Sequence, residues 1–213
     1  GTSVGGAETL TSDKPLPEHA YPSQLKHTEP EKVVLTFVEG ELIAVNGVNN
    51  DSEINIEVLN NLASAYAIGR DIHVGDTIVG IKGRVGFEAA GALITIKAHH
   101  LLEKHTLTKW QLQHKEYLSS FYGMHLHEGQ YLDPVMRNIE AFLKSSQEQV
   151  SGDVIVTLKP YHFSLDGIKS KHDLMNAKFG SYGEVNKGWT ADEAKGFIKI
   201  LGNQNKIYQQ VNS

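Results

Sequence analysis

A chain of 213 residues can form one large domain or two small ones, and a chain of this size buries roughly 70% of its unfolded surface. Hydrophobic residues are 40% and charged residues 21%, as in an ordinary globular protein, and the net charge of -5 argues against nucleic acid as the main partner, because phosphate binding needs a basic face. With no cysteine there is no disulfide, thiol nucleophile or zinc-thiolate site; no apolar run approaches the ~20 residues of a membrane span and no secretory signal is visible, so a cytoplasmic protein is expected.

Gly1-Thr2-Ser3-Val4-Gly5-Gly6 carries no capping signal or apolar period and reads as the middle of a loop, so the chain is expected to be a piece of a longer protein. Residues 1–31 hold four of the six prolines, at 15, 17, 22 and 30, which predicts an extended arm or linker. Val33–Val38 and Glu41–Val45 flank Glu39-Gly40 as a hairpin. Ser52–Ile68 reads as a helix with Ile56, Leu59, Leu62, Ala63 and Tyr66 on one face, ended by Gly69 in a left-handed conformation. Ile72–Ile81 reads as two short strands around a Gly75-Asp76 turn.

Helices are expected over Ala90–Lys104 and over Thr108–His127, the latter striped by Trp110, His114, Tyr117, Leu118, Phe121 and Met124. A further helix begins with Asp133 as N-cap and Pro134 at the first position, with Val135, Ile139, Phe142 and Leu143 on one face. Val154–Leu158 is a strand, Lys159-Pro160 a turn, and 161–168 the returning strand. Residues 169–189 lack a clear period. Thr190, with Asp192 and Glu193 behind it, starts a short helix to about Leu201, and 203–213 is a polar tail expected to fray. Hairpins and clustered helices without strand–helix alternation predict an α+β fold with antiparallel hairpins packed against long helices.

Three groups of residues carry chemistry. The 11 histidines include His99-His100, His105, His114 and His125-x-His127-Glu128, but none matches a zinc pattern such as H-E-x-x-H, and solvated or core-edge histidines are the better reading. Gly83-x-x-Gly86 is neither a P-loop nor a dinucleotide fingerprint and equally suits a tight link between strand and helix. Lys82 and Arg84 share one side of an alternating strand beside Glu88, which suits a carboxylate or phosphate; Lys82 is a candidate anion-binding residue, and a solvated charged face is the alternative.

Read together, Gly69-Arg70-Asp71-Ile72, Ile81-Lys82-Gly83-Arg84-Val85-Gly86-Phe87-Glu88 and Ala98-His99 resemble the argininosuccinate synthase family, whose patterns run close to G-V-G-R-x-D, K-S-R-G-x-Y-E-x-P and a helix ending in A-H. Gln147-Glu148-Gln149-Val150-Ser151-Gly152 resembles its Q-E-x-V-x-G, and Asp192–Ile198 its D-A-x-G-F-I with one residue inserted. Gly1–Gly6 resembles its loop W-G-x-S-x-E-x-G. The motifs keep the family's order over nearly the whole chain.

The resemblance implies the C-terminal synthetase and multimerisation domain of a ligase that joins citrulline to aspartate with ATP. It implies adenylation of the citrulline ureido oxygen and displacement of AMP by the aspartate amine. The S-G-G-L-D-T pyrophosphate loop belongs to the family's first domain and is not in this sequence. ATP with magnesium is therefore expected to be held mainly by that other domain, with no cofactor expected on this piece alone and no activity from it alone.

The resemblance further implies an extended arm over 1–31, a synthetase domain over 32–202 and a tail over 203–213. It implies a homotetramer, for which helices 108–127 and 134–149 are the expected interface. Nucleic-acid and membrane partners are not expected, and no catalytic residue or metal ligand is assigned.

Residue by residue, the resemblance places citrulline near Ser3, Arg84 and Glu88. Phe87 stands where the family has a citrulline-contacting tyrosine. Gly75 stands at the position of a citrulline-contacting glutamate, with Asp76 beside it as a substitute. Gly5 replaces a second glutamate, and Ala90 the motif's proline. Loss of two carboxylates beside the expected ammonium raises the reading of an N-acylated citrulline as substrate, since a buried unpaired ammonium is costly. A non-catalytic binding or assembly module of the same fold is the other alternative.

Overall fold

The computed structural model describes residues 1–176 and 188–213. Part of the segment without a clear period, 177–187, lies outside the described residues. The fold is α+β, as expected from the pattern. The chain forms two compact units, Gly1–Leu174 and Met175–Ser213.

The first unit opens with β1 (Thr2–Val4), a strand inside the segment read as an irregular arm. Two short 3-10 turns follow, and then β2 (Glu31–Val38) and β3 (Glu41–Val45) form the expected hairpin. Glu39 and Gly40 both take positive φ, 49° and 84°, the geometry a two-residue hairpin turn needs. A short β4 (Val48–Asn49) pairs back on β3.

Helix α1 (Ser52–Ser64) ends four residues before the predicted Ile68. Residues 65–68 turn out of the helix instead, Ala67 at φ 56°, and Tyr66, Ala67 and Ile68 are buried. The apolar run continued past the helix because those side chains enter the core from a turn. Gly69 then takes φ 89° as predicted. Asn55, fully buried on α1, donates to Leu42 O (3.2 Å) and Asn50 O (2.9 Å), which satisfies its amide and fixes the helix against β3.

The expected turn at Gly75-Asp76 is a correction. Strand β5 runs unbroken over Arg70–Asp76 and the reversal falls at 77–80, closed by Thr77 N–H to Ile81 O (3.0 Å) and Gly80 N–H to Thr77 O (2.8 Å). Strand β6 (Lys82–Glu88) returns antiparallel to it. Helix α2 (Ala90–Thr106) follows directly.

Helix α3 (Lys109–His127) starts at a capping box between Thr108 and Gln111. Helix α4 (Pro134–Gln147) starts where Asp133 Oδ1 accepts from Val135 N–H (2.9 Å) with proline at the first position. β7 (Gly152–Lys159) and β8 (His162–Lys169) form the predicted hairpin.

In the second unit, α5 (Ala191–Leu201) begins at a Thr190–Glu193 capping box, and α6 (Asn203–Asn212) occupies the stretch expected to fray.

The strands make two antiparallel sheets, ordered β4-β3-β2-β7-β8 and β1-β6-β5. The hydrophobic core belongs to the larger one. Val33, Leu35 and Phe37 of β2 and Val154, Val156 and Leu158 of β7 are buried at every second position, against Leu59 and Ala63 of α1 and Ile94, Ala98 and Leu102 of α2. Each large apolar side chain so buried contributes roughly 1.5–3 kcal/mol. The smaller sheet has few such residues, Val4 and Leu16 being the buried ones beneath it, so polar contacts decide how that sheet is held. No helix among the described residues is long and apolar enough to cross a membrane.

Candidate substrate site on the three-stranded sheet

Every site residue expected from the sequence lies on β1, β5 or β6. Their register is Ser3↔Phe87↔Asp71, Val4↔Gly86↔Ile72, Thr2↔Glu88↔Arg70, Val85↔His73, Arg84↔Val74, Gly83↔Gly75 and Lys82↔Asp76. Paired residues point to the same face and neighbours along a strand to opposite faces. The expected residues therefore divide. Lys82, Arg84, Glu88 and Asp76 lie on one face; Ser3, Phe87 and the Gly75 position lie on the other.

The arm of residues 7–23 covers the first face around Arg84, Gly86 and Glu88. Arg84 donates from one guanidinium nitrogen to Glu8 O (2.8 Å) and Thr11 O (2.7 Å), and from the other to Lys14 O (3.0 Å). Leu16 packs on Gly86 so closely that any Cβ there would collide with its δ-methyl group. Glu88, 7% exposed, accepts from Arg70 Nε (3.2 Å) and Ser23 N–H (3.4 Å).

Arg70 also reaches Glu18 Oε1 (2.7 Å) and Ser23 O, and its guanidinium lies 4.6 Å from the centre of the Tyr21 ring. Burial alone would lower the Arg70 pKa, but the hydrogen bonds and charges of Glu18 and Glu88 outweigh it and raise it, so the guanidinium stays charged. Lys82 pairs with Asp76 at 2.5 Å, with both side chains about two-thirds exposed or more, a contact that contributes little.

Lys82 and Arg84 do share a side, as alternation requires, but Lys82 leans on Asp76 and Arg84 donates to three main-chain carbonyls. Asp76 lies on the face opposite Gly75, because adjacent strand residues alternate. It cannot stand in for a carboxylate at position 75.

The second face is open. Ser3, Phe87 and Asp71 form one row across all three strands, Val85 and His73 the next, Gly83 and Gly75 a third. Ser3, Asp71, His73, Gly83 and Val85 are exposed, Gly75 and Phe87 half-buried. The His73 ring covers Gly75: a Cβ built on Gly75 would lie 2.6 Å from His73 Nε2. Asp71 and His73 were not assigned a role by sequence reasoning. Their signal was the spacing of two and four from Gly75, hidden once a turn was placed at Gly75-Asp76.

The Ala98-His99 and Gln147 motifs meet elsewhere. His99 Nε2 lies 2.8 Å from Gln147 Oε1, and Gln147 Nε2 donates to Glu103 Oε1 (2.9 Å). Glu103 is fully buried. Lys115 Nζ stands 2.9 Å from its Oε2, a charge contact without the alignment of a hydrogen bond, and His100 Nδ1 lies 3.6 Å from the same oxygen. Burial lowers the His99 pKa, with the charges of Lys115 and His100 adding to it and Glu103 and Gln147 opposing. A cavity of about 690 Å³ opens beside His99, Lys115 and Gln147. Among the described residues no group of three or more histidines and carboxylates is arranged to hold a metal.

On the first face of the site sheet Lys82 leans on Asp76 and Arg84 on three main-chain carbonyls, so the two are not arranged as a pair for a nucleotide triphosphate. No step involving ATP is assigned to residues of this chain.

The α+β domain thus presents a hydroxyl, an aromatic ring and a carboxylate in a row on an exposed sheet face. Residues 10–208 match the arginosuccinate synthase C-terminal domain, and the chain belongs to that family.

It is 39% identical to the argininosuccinate synthase of Xanthomonas campestris pv. campestris over 92% of its length and 48% of the relative. Identity is 36% to that of Dictyoglomus turgidum, covering 98% and 52% of the two chains, and 31% to that of Methanocaldococcus jannaschii, covering 98% and 53%. The chain thus spans about half the length of the curated relatives it matches.

Proposed function

We propose that this domain is the citrulline-side half of an ATP-dependent carbon–nitrogen ligase, which condenses citrulline with aspartate to give argininosuccinate, AMP and pyrophosphate in cytoplasmic arginine biosynthesis. The observation that carries the reading is the pairing of Ser3 with Phe87 on the open face, with the Gly75 position on that same face. Three of the six positions that the family resemblance places at citrulline, Ser3, Gly75 and Phe87, come from segments some 70 residues apart in sequence, yet they share one surface. Arg84 and Glu88 support it indirectly, by holding the arm on the reverse side.

ATP is taken to be bound by a nucleotide-binding half, in the same polypeptide or beside it. The chain by itself is expected to form no argininosuccinate from ATP, citrulline and aspartate. Measurable turnover by the pure chain would refute that, and restored turnover on joining it to such a half supports the ligase reading.

Homo-oligomer formation, as a tetramer, belongs to the same proposal. Helix α3 has no buried residue, and Trp110, Tyr117, Phe121 and Met124 of its apolar stripe are all exposed. In the second unit Phe197, Ile198, Ile207 and Tyr208 are exposed as well. Exposed apolar stripes of this kind suit subunit contacts.

A non-catalytic module of the same fold is the second reading, favoured by the glycines at 5 and 75 and by the engagement of Lys82 and Arg84 within the chain. Failure of the joined halves to make product would favour it. An N-acylated citrulline as acceptor is the remaining variant, and the charge on the open face bears on it.

A further inference from the structure

We infer that Asp71 determines acceptor specificity at this site by pairing with a free α-ammonium group; the inference rests on the ligase reading above. Strand alternation puts seven residues of the three strands on the open face, and Asp71 is the sole carboxylate among them. Position 75 has no side chain, and the His73 ring occupies the space one would need. A carboxylate for an ammonium on this face is then Asp71, four residues along the same strand from Gly75, with His73 between them.

The geometry of the row favours a ligand lying across it. Ser3 and Asp71 flank Phe87 at two strand spacings, about 10 Å apart. That is the scale of one extended amino acid with a ureido side chain. Phe87 in the middle offers an apolar surface for the aliphatic carbons, with a hydroxyl at one end and a carboxylate at the other.

Asp71 is also oriented. Its Oδ1 accepts the Ile72 N–H at 2.7 Å, which fixes the carboxylate plane and leaves Oδ2 to an incoming donor. An ammonium answers a carboxylate with charge-assisted hydrogen bonds. An N-acyl group removes the positive charge and brings a carbonyl dipole against Asp71. The open face thus selects for the free amino acid, although the glycine at 75 by itself would leave room for an acyl group.

The test uses the ligase assembled from this chain and a nucleotide-binding half. Asp71→Asn keeps the shape and the bond to Ile72 N–H and removes the charge. It is expected to raise KM for L-citrulline about tenfold or more while kcat changes by no more than about threefold. The unsubstituted ligase is expected to use α-N-acetyl-L-citrulline at least about tenfold less well by kcat/KM, and Asp71→Asn should narrow that gap.

Glu57→Gln, which neutralises an exposed carboxylate on α1, should leave both parameters unchanged. An unchanged KM in Asp71→Asn, or a preference of the unsubstituted ligase for the acetylated acceptor, overturns the inference and leaves the ligase reading standing. Absence of product from either acceptor with the unsubstituted chain overturns the ligase reading, and the inference with it.

Discussion

Arg84 brings a guanidinium to a half-buried position and gives it to three main-chain carbonyls of one short loop. A planar fork satisfies that arrangement; a lysine ammonium does not, because it reaches as a point donor. Hydrogen bonds to charged groups contribute about 1.5–3 kcal/mol each when well formed, so losing two of three opens the arm before the core is touched. Arg84→Lys is therefore expected to speed protease cleavage within residues 8–14 about tenfold, with global unfolding in denaturant little changed. Cleavage at the unsubstituted rate would remove the clamp from the account.

Gly69 is the opposite case, a residue with nothing to contribute except the space it leaves. At φ 89°, and with the Ala90 main chain where a Cβ would stand, Gly69→Ala combines backbone strain with a collision. A loss of at least about 2 kcal/mol in equilibrium unfolding is expected. A loss below about 0.5 kcal/mol would show that the link between β5 and the turn before it can relax.

Among the elements, α2, α3 and α4 meet at a buried charge. Glu103 comes from α2, Lys115 from α3 and Gln147 from α4. Removing one member of a buried ion pair leaves the other uncompensated, so Lys115→Met is expected to destabilise the fold by about 3 kcal/mol. Glu103→Gln with Lys115→Met together should recover part of the loss, and a simple sum of the single losses would argue against coupling.

His99 gives the same junction a pH dependence. Its pKa in the fold is below its ordinary value of 6.5. Between the two values the unfolded chain binds the extra proton and the fold does not, so stability rises with pH in that window. Stability from this group is fully present above about pH 6.5 and is lost as the pH falls towards the folded value. His99→Gln should flatten the stability profile below about pH 6.5, and an unchanged slope would assign it to other groups.

Helix beginnings were legible because caps are local. Asp133-Pro134, Thr108 and Thr190 each satisfy amide groups within three residues, and each helix starts there. What escaped was non-local. Nothing in Thr2–Val4 announces a strand, since its partner lies more than 80 residues on and a three-residue strand has no period of its own. Gly75-Asp76 carries turn-forming residues, yet β6 supplies ladder partners for both and the reversal moves to 77–80. The candidate site residues were assigned by type and motif. Their division between two faces needed the register, and with it came Asp71 and His73.

At the scale of the molecule, the chain holds its core against one sheet and the proposed ligand face on another. The apolar stripe of its helix α3, Trp110, Tyr117, Phe121 and Met124, is exposed. Burial of Trp110, Tyr117, Phe121 and Met124 against another copy would give a concentration-dependent assembly. Light scattering is expected to report a mass above the 23.5 kDa of one chain at micromolar concentration, and Tyr117→Lys to lower it with the helix content intact. A single-chain mass at every concentration would leave α3 without that role.

The brevity of β1 has a kinetic meaning. Ser3 is held opposite Phe87 by three residues of ladder at a sheet edge, with Arg84 securing the loop behind them. Opening of so small a unit costs far less than unfolding the core, so the amide of Val4 should exchange with solvent orders of magnitude faster than that of Leu35. One end of the recognition row can therefore leave and return while the rest of the domain stays folded. A ligand that needs all three strands would be held only while β1 stays paired, so its release can follow that opening.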